Sequence, residues 1–293
     1  MPREMTNNGA AGIRNRNCRS LRLRRIDPAA LMFGSWLALV ASSPVAAQGS
    51  VMLRLHPRIG DTLRTVLEQT TEVSVPNGHS VSSSTSIFSE SIVRGVLGSS
   101  TIVYAVVDSV RMKSTDDHAQ KIIGDARRAL EGQRLVLQIG ADGTVESARD
   151  SHGVKLAPNV ADAVASMPAV FPKHAVQVGE EWVRELPLPS RGGVGSTGGG
   201  RARATFRLDS LQHGGSVAYV SMHGEIAADS ANGMRLNGTI AGTMQLDRTR
   251  GWMTDSRFFV MLLSTVSQPA SAALPPMRFT TRVMQRMRTL AAP

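Results

Sequence analysis

The run Gly193-Val194-Gly195-Ser196-Thr197-Gly198 matches the G-x-G-x-x-G pattern that seats a dinucleotide pyrophosphate. That chemistry needs a strand before the glycines and a helix after them, so that N–H groups at the helix start meet the phosphates. Here Leu186-Pro187-Leu188-Pro189 precedes the run and a strand-like alternation follows it, so the stretch reads as a flexible loop. Ser196 is no nucleophile elbow either, because Val194 stands where that motif requires glycine. The carboxylates Glu180 and Glu181 raise the question of paired acid–base hydrolysis. Neighbours on a strand point to opposite faces, however, and a polar turn before Trp182 is the plainer reading. Asp116-Asp117-His118 groups acid–base and metal-ligating side chains where a helix is expected to start, and capping accounts for them. The histidines, at positions 56, 79, 118, 152, 174, 213 and 223, include no pair at the short spacing zinc sites favour. No catalytic residue, metal or cofactor is therefore assigned. A hydrolase stays open only as a third reading, and it needs histidines and carboxylates that converge in the fold.

Two other residue sets could bind rather than react. Met234 to Asp247 alternates over an unusual length, with Met234, Leu236, Ile240, Met244 and Leu246 on one face together with Gly238 and Gly242. Glycine inside a strand marks a bend or a close approach. Placed where core side chains belong, these two glycines suggest a sheet that curls around something. Phe206, Met222, Gly238, Ile240, Gly242, Met244, Phe258 and Leu262 are thus the candidate lining of an apolar site. Methionine is plentiful, at 14 residues, while aromatics make up 4%. Methionine either fills a core short of aromatics or supplies flexible thioethers to a cavity. The second set is electrostatic: Arg201, Arg203 and Arg207, with Arg278, Arg282, Arg286 and Arg288, project from the opposite faces of two strands. These rows are either a solvated face or a contact for anionic lipid head groups or an acidic envelope partner. Stacking aromatics are missing from the rows, which argues against single-stranded nucleic acid.

The elements that must hold these residues are mostly strands. Period-two patterns predict strands over Val51–Leu55, Asp61–Val75, Val81–Leu97 and Thr101–Lys113. Ala141-Asp142-Gly143 turns a hairpin between Leu135–Ile139 and Thr144–Ala148. A closing meander follows over Arg201–Asp209, Val217–Ala228, Met234–Asp247, Trp252–Val266 and Arg278–Thr289. Helical spacing of Ile122, Ile123, Ala126 and Leu130 predicts a helix from about His118 to Leu130, capped by Asp116 or Asp117, and a second short helix is expected over Asn159–Ser166. The expected fold is α+β and mostly antiparallel β: a long curved sheet or half-barrel with two short covering helices. Residues 48–189 carry the first strands and the helices, 190–200 form a Gly-rich loop or linker, and 201–293 form the meander completing the same β-rich domain.

Residues 1–47 read as a cleaved export signal. Arg19, Arg22, Arg24 and Arg25 precede an apolar run from Ala29 to Ala41, and Val45-Ala46-Ala47 offers small residues for a peptidase. The run is shorter than the roughly 20 residues a spanning helix needs. Gln48 stands where a lipoprotein would carry cysteine, and Ile26-Asp27-Pro28 lacks the apolar continuation of a twin-arginine signal. Met5 or a later start is an alternative initiator, given the long stretch before Arg19. This segment holds seven basic residues (Arg3, Arg14, Arg16, Arg19, Arg22, Arg24, Arg25) and two acidic ones (Glu4, Asp27), so its removal lowers the net charge of +10 by five. Half of the basicity is the signal's own, which weakens any case for nucleic acid. Cys18 leaves with it, so the remaining chain has no thiol and no disulfide in an oxidising compartment. A periplasmic or extracellular location is the expectation.

Ile59-Gly60-Asp61 before a long two-faced strand, Val178-Gly179-Glu180-Glu181-Trp182, and the closing meander resemble an uncharacterised family of exported bacterial β-rich proteins. The resemblance spans most of the chain after residue 47 and brings no catalytic residues. In architecture only, strands curling around covering helices are similar to the periplasmic half-barrel carriers that shield lipid or lipoprotein tails. That similarity implies an apolar ligand, a lipid or a lipidated partner.

Overall fold

The computed structural model describes residues 49–75, 78–153, 156, 170–187, 201–229, 234–266 and 276–290. The expected helix over 159–166, the loop at 190–200 and the signal segment lie outside them. Residues 46–293 form one compact unit.

The strands are β1 (Thr62–Ser74), β2 (Ser80–Leu97), β3 (Ser100–Ser114), β4 (Arg134–Ile139), β5 (Val145–Asp150), β6 (Glu181–Pro187), β7 (Arg201–Gln212), β8 (Val217–Asp229), β9 (Met234–Asp247), β10 (Trp252–Val266) and β11 (Met277–Leu290). They make a single antiparallel sheet in the order β5-β4-β3-β2-β1-β11-β10-β9-β8-β7-β6. The chain starts in the middle of the sheet, meanders to one edge, crosses to the other and meanders back, so that β1 pairs with β11. The fold is the long antiparallel sheet that the alternating sequence predicts. Both ends of β9 and β10 fall where the pattern puts them.

Three local expectations change. Val51–Leu55 makes only an isolated bridge, Val51 with Val176, because its backbone is shared among several loops rather than paired along one strand. The predicted helix begins as a 3-10 turn over Asp117–Ala119, with Asp116 accepting from the His118 N–H at 2.9 Å, and continues as α1 (Gln120–Leu130). It packs against β3 through half-buried Ile123, Ala126 and Leu130, and Ile122 is 71% exposed. The third is β6, absent from the sequence reading, where Trp182 and Leu186 turn inward and Glu181 and Glu185 outward.

The sheet curls until its two edges meet at one end. Asp142, in the β4–β5 turn at one edge, lies 3.8 Å from Arg184 of β6 at the other. Arg184 also donates to the Phe171 carbonyl, and the Asp142 carbonyl accepts from the N–H groups of Val170 and Phe171 at 3.0 and 3.1 Å. Residues 51–56 and 170–176 plug this closed end. Val51 bonds Val176, Leu55 donates to the Ala141 carbonyl, and His56 donates to the Gly251 carbonyl. Trp252 and Ile139 each touch both of the sheet's packed clusters, one centred on β7–β9 and one on Val103 of β3 and Leu137 of β4. Strands so distant in sheet order can share these side chains only if the sheet bends back on itself.

Candidate functional site

The inner, core-facing side of the curl is where the sequence places the apolar set. Phe206, Leu208, Val220 and Leu246 are fully buried there with Leu53, Phe171 and Val176 of the plug. Trp182 stacks on Phe206, its direct cross-strand partner, with ring centroids 5.8 Å apart, and its indole N–H donates to the Val170 carbonyl at 2.8 Å. A buried aromatic pair of this kind adds about 1 kcal/mol beyond its area.

All eight candidate lining residues lie on this face, but in three different settings. Phe206, Met222 and Met244 are buried in the β7–β9 cluster, whereas Ile240, Phe258 and Leu262 are partly buried against its margin. Gly238 and Gly242 do not open a space. A Cβ at Gly242 would lie 2.6 Å from the Phe258 ring, and one at Gly238 would lie 2.8 Å from a Leu262 methyl. The glycines let β10 press close to β9 and give its side chains a place to lie. Gly224 of β8 does the same for β7, with the Ala204 Cα 2.8 Å from its would-be Cβ, and the sequence reading missed it. Its spacing from Met222 and Ile226 on the same face was the available signal.

Beyond the margin, towards β11, β1 and β2, the same face carries Val283, Met287, Leu67 and Ile87. All four are only partly buried and belong to neither packed cluster. The Trp252 indole nitrogen, buried between the clusters, has no hydrogen-bond partner among the described residues.

The outward face carries the arginines. Arg282 pairs with Glu72 at 3.8 Å, Arg286 with Asp255 at 2.7 Å, Arg288 with Glu68 at 2.9 Å and Arg207 with Asp209 at 3.9 Å. The β11 row is therefore ion-paired across strands, and Arg207 pairs along its own strand. The β1–β11 register creates two of these pairings, with Glu72 facing Arg282 directly and Arg288 reaching Glu68 on the diagonal, while Asp255 of β10 takes Arg286. Arg203 and Arg278 lie on the same face, and the Arg201 side chain is outside the described set.

The polar residues weighed as catalytic groups stay apart. Glu180 closes the turn before β6, accepting from the Gln177 N–H at 2.9 Å with His174 at 3.3 Å, while Glu181 points outward from the strand. Among the described residues no three His, Cys, Asp or Glu side chains cluster tightly enough to hold a metal. A hollow of about 370 Å³ at the closed end is lined by Arg54, Asp142, Glu146 and Lys173 among others. Glu146 is held there by Ser100 at 2.7 Å and Gln138 at 2.6 Å. Burial pushes the Asp142 carboxyl up, but hydrogen bonds from Thr144 and the charges of Arg184 and Lys173 outweigh it and hold the group below its ordinary value. The Asp142 carboxylate fastens the turn to β6, and Glu146 ties β5 to Ser100 of β3 and Gln138 of β4.

Residues 158–253, about a third of the chain, match a family of unknown function (DUF6263). No curated protein sequence matches the chain. Among solved structures it is similar to one described as lipid–protein interactions in lipovitellin, with a TM-score of 0.47, 8% identity, and coverage of 81% of this chain and 26% of that one. The chain thus spans about a quarter of lipovitellin's length. DynF from the dynemicin biosynthesis pathway of Micromonospora chersina gives a TM-score of 0.25 at 10% identity, covering 86% and 92% of the two chains. The outer membrane protein AlkL in lipid bilayers gives 0.12 at 8% identity, covering 81% and 95%. At these scores none of the three decides a function. Among the described residues no helix is long and apolar enough to cross a membrane.

Proposed function

We propose that the curled sheet holds an apolar ligand, a lipid or the lipid tail of a partner against the unfilled part of its core face, in a protein exported by its N-terminal segment. The supporting observation is the change in packing along one continuous face. Side chains over β7 and β8 are buried completely, while Ile240, Val260, Leu262, Val283, Leu67 and Ile87 are left partly open. Apolar surface facing inward on a curl gains about 25 cal/mol for each Å² taken from water, so a hydrocarbon chain laid along it is favoured.

Native mass spectrometry with lipid extraction, on protein recovered from an exporting bacterium, tests this reading. Bound lipid is expected, together with its loss in Leu262→Arg. Protein that carries no lipid and also fails to bind an apolar fluorescent probe such as N-phenylnaphthylamine overturns it.

A further inference from the structure

β10 is apolar on both faces. Phe258, Val260 and Leu262 turn into the curl, while Phe259, Met261 and Leu263 turn outward at 41%, 41% and 43% exposure. Met284 of β11, directly opposite Phe259, is 56% exposed. Six consecutive apolar residues in a sheet that otherwise alternates are the pattern of a strand covered on both sides. A shallow hollow of about 630 Å³ lies at the same place, and by register most of its lining is outward-facing, including Thr70, Ala241, Thr243, Phe259 and Met284.

The rim of this patch selects its occupant. Arg257, Arg278, Arg282, Arg286 and Arg288 surround it with Asp255, Glu68 and Glu72, five cations against three anions. Arg257 and Arg286 share the single carboxylate of Asp255. A second copy of the chain laid face to face would oppose one cationic surplus with another. An anionic lipid bilayer offers the complement to both parts: negative head groups for the arginines and an apolar layer for Phe259, Met261, Leu263 and Met284.

We infer that the outward face of β10 and β11 docks on an anionic lipid surface. This stands apart from ligand binding on the core face, since its contacts lie on the other side of the sheet. The test is flotation of the full chain with vesicles of phosphatidylcholine alone and of phosphatidylcholine carrying about one quarter phosphatidylglycerol. The N-terminal apolar segment is present in every variant, so differences between variants report on the patch. The wild type is expected to float with the anionic vesicles more than with the neutral ones. Met261→Glu with Met284→Glu is expected to lower that partition at least about tenfold, with unchanged circular dichroism. Val96→Glu, an exposed residue at the remote β2–β3 turn, should behave as wild type. The inference is overturned if the double variant floats like wild type, if wild type floats equally with both vesicles or with neither, or if sedimentation shows a wild-type dimer that the double variant abolishes.

Discussion

The core face has a packed part over β6–β9 and an open part that runs from the far end of β9 across β10, β11, β1 and β2. At the closed end the plug residues Leu53, Phe171 and Val176 fill the curl completely. Toward the margin Ile240, Val260 and Leu262 have packed neighbours on one side only, and Leu67, Ile87 and Val283 lie beyond both clusters. The difference does not come from composition, since both ends are apolar. It comes from whether loop segments reach inside. Burial at the closed end carries most of the stability, and the open end contributes less.

The sharpest way to break that contrast is to truncate equivalent side chains at both ends. Phe206→Ala removes a fully buried ring stacked on Trp182 and is expected to lower unfolding free energy by about 3–5 kcal/mol, whereas Leu262→Ala should cost no more than about 2. Urea denaturation of the two variants measures this, and equal losses would erase the distinction between the ends. The curl itself is next. Gly242→Val drives side-chain atoms into the Phe258 ring and the β10 backbone, for an expected loss of about 1–3 kcal/mol. Gly95→Ala, where nothing lies within 4 Å of the new Cβ, should stay within about 0.5 kcal/mol of wild type.

The smallest effect is expected where the edges meet. Asp142→Asn removes a partly buried pairing with Arg184 and should cost about 1 kcal/mol near neutral pH. Because the Asp142 carboxyl is held below its ordinary value in the fold, its contribution is fully present above the unfolded pKa near 4 and fades as pH falls through the lower folded value. Thermal melts of wild type and Asp142→Asn should therefore converge as the pH is taken below about 4. Curves that stay parallel would show that this carboxylate does not help fasten the edges.

Much of this was legible from alternation alone. Met234–Asp247 needs no tertiary information, because its two faces differ and period two reports that directly, whereas Trp252–Val266 is legible as a long apolar run bounded by turns. β6 escaped because Pro187 and Pro189 suggested an exit loop, although Trp182 and Leu186 share one face and Glu181 and Glu185 the other. The arginine rows were visible, but their neutralisation was not. Glu68 and Arg288 are 220 positions apart, and only the β1–β11 register brings them together. The glycines of β9 marked a close approach, and what covers them depends on Phe258 and Leu262 of the next strand. The outward apolar patch was overlooked because Phe259, Met261 and Leu263 interleave with the inward residues, and attention to one face hid the other.

The pairing of β1 with β11 also shapes how the chain must acquire its structure. Every other neighbouring pair is formed by strands consecutive in sequence, so most of the sheet can assemble from local hairpins. The central seam alone joins the first strand to the last, and it carries nearly the whole entropy of long-loop closure. Until residues 277–290 arrive, β1 and β10 both present open edges, and β10 is the strand that is greasy on both sides. A nascent chain is therefore sticky at its centre rather than at its ends until the fourteen-residue β11 covers both open edges.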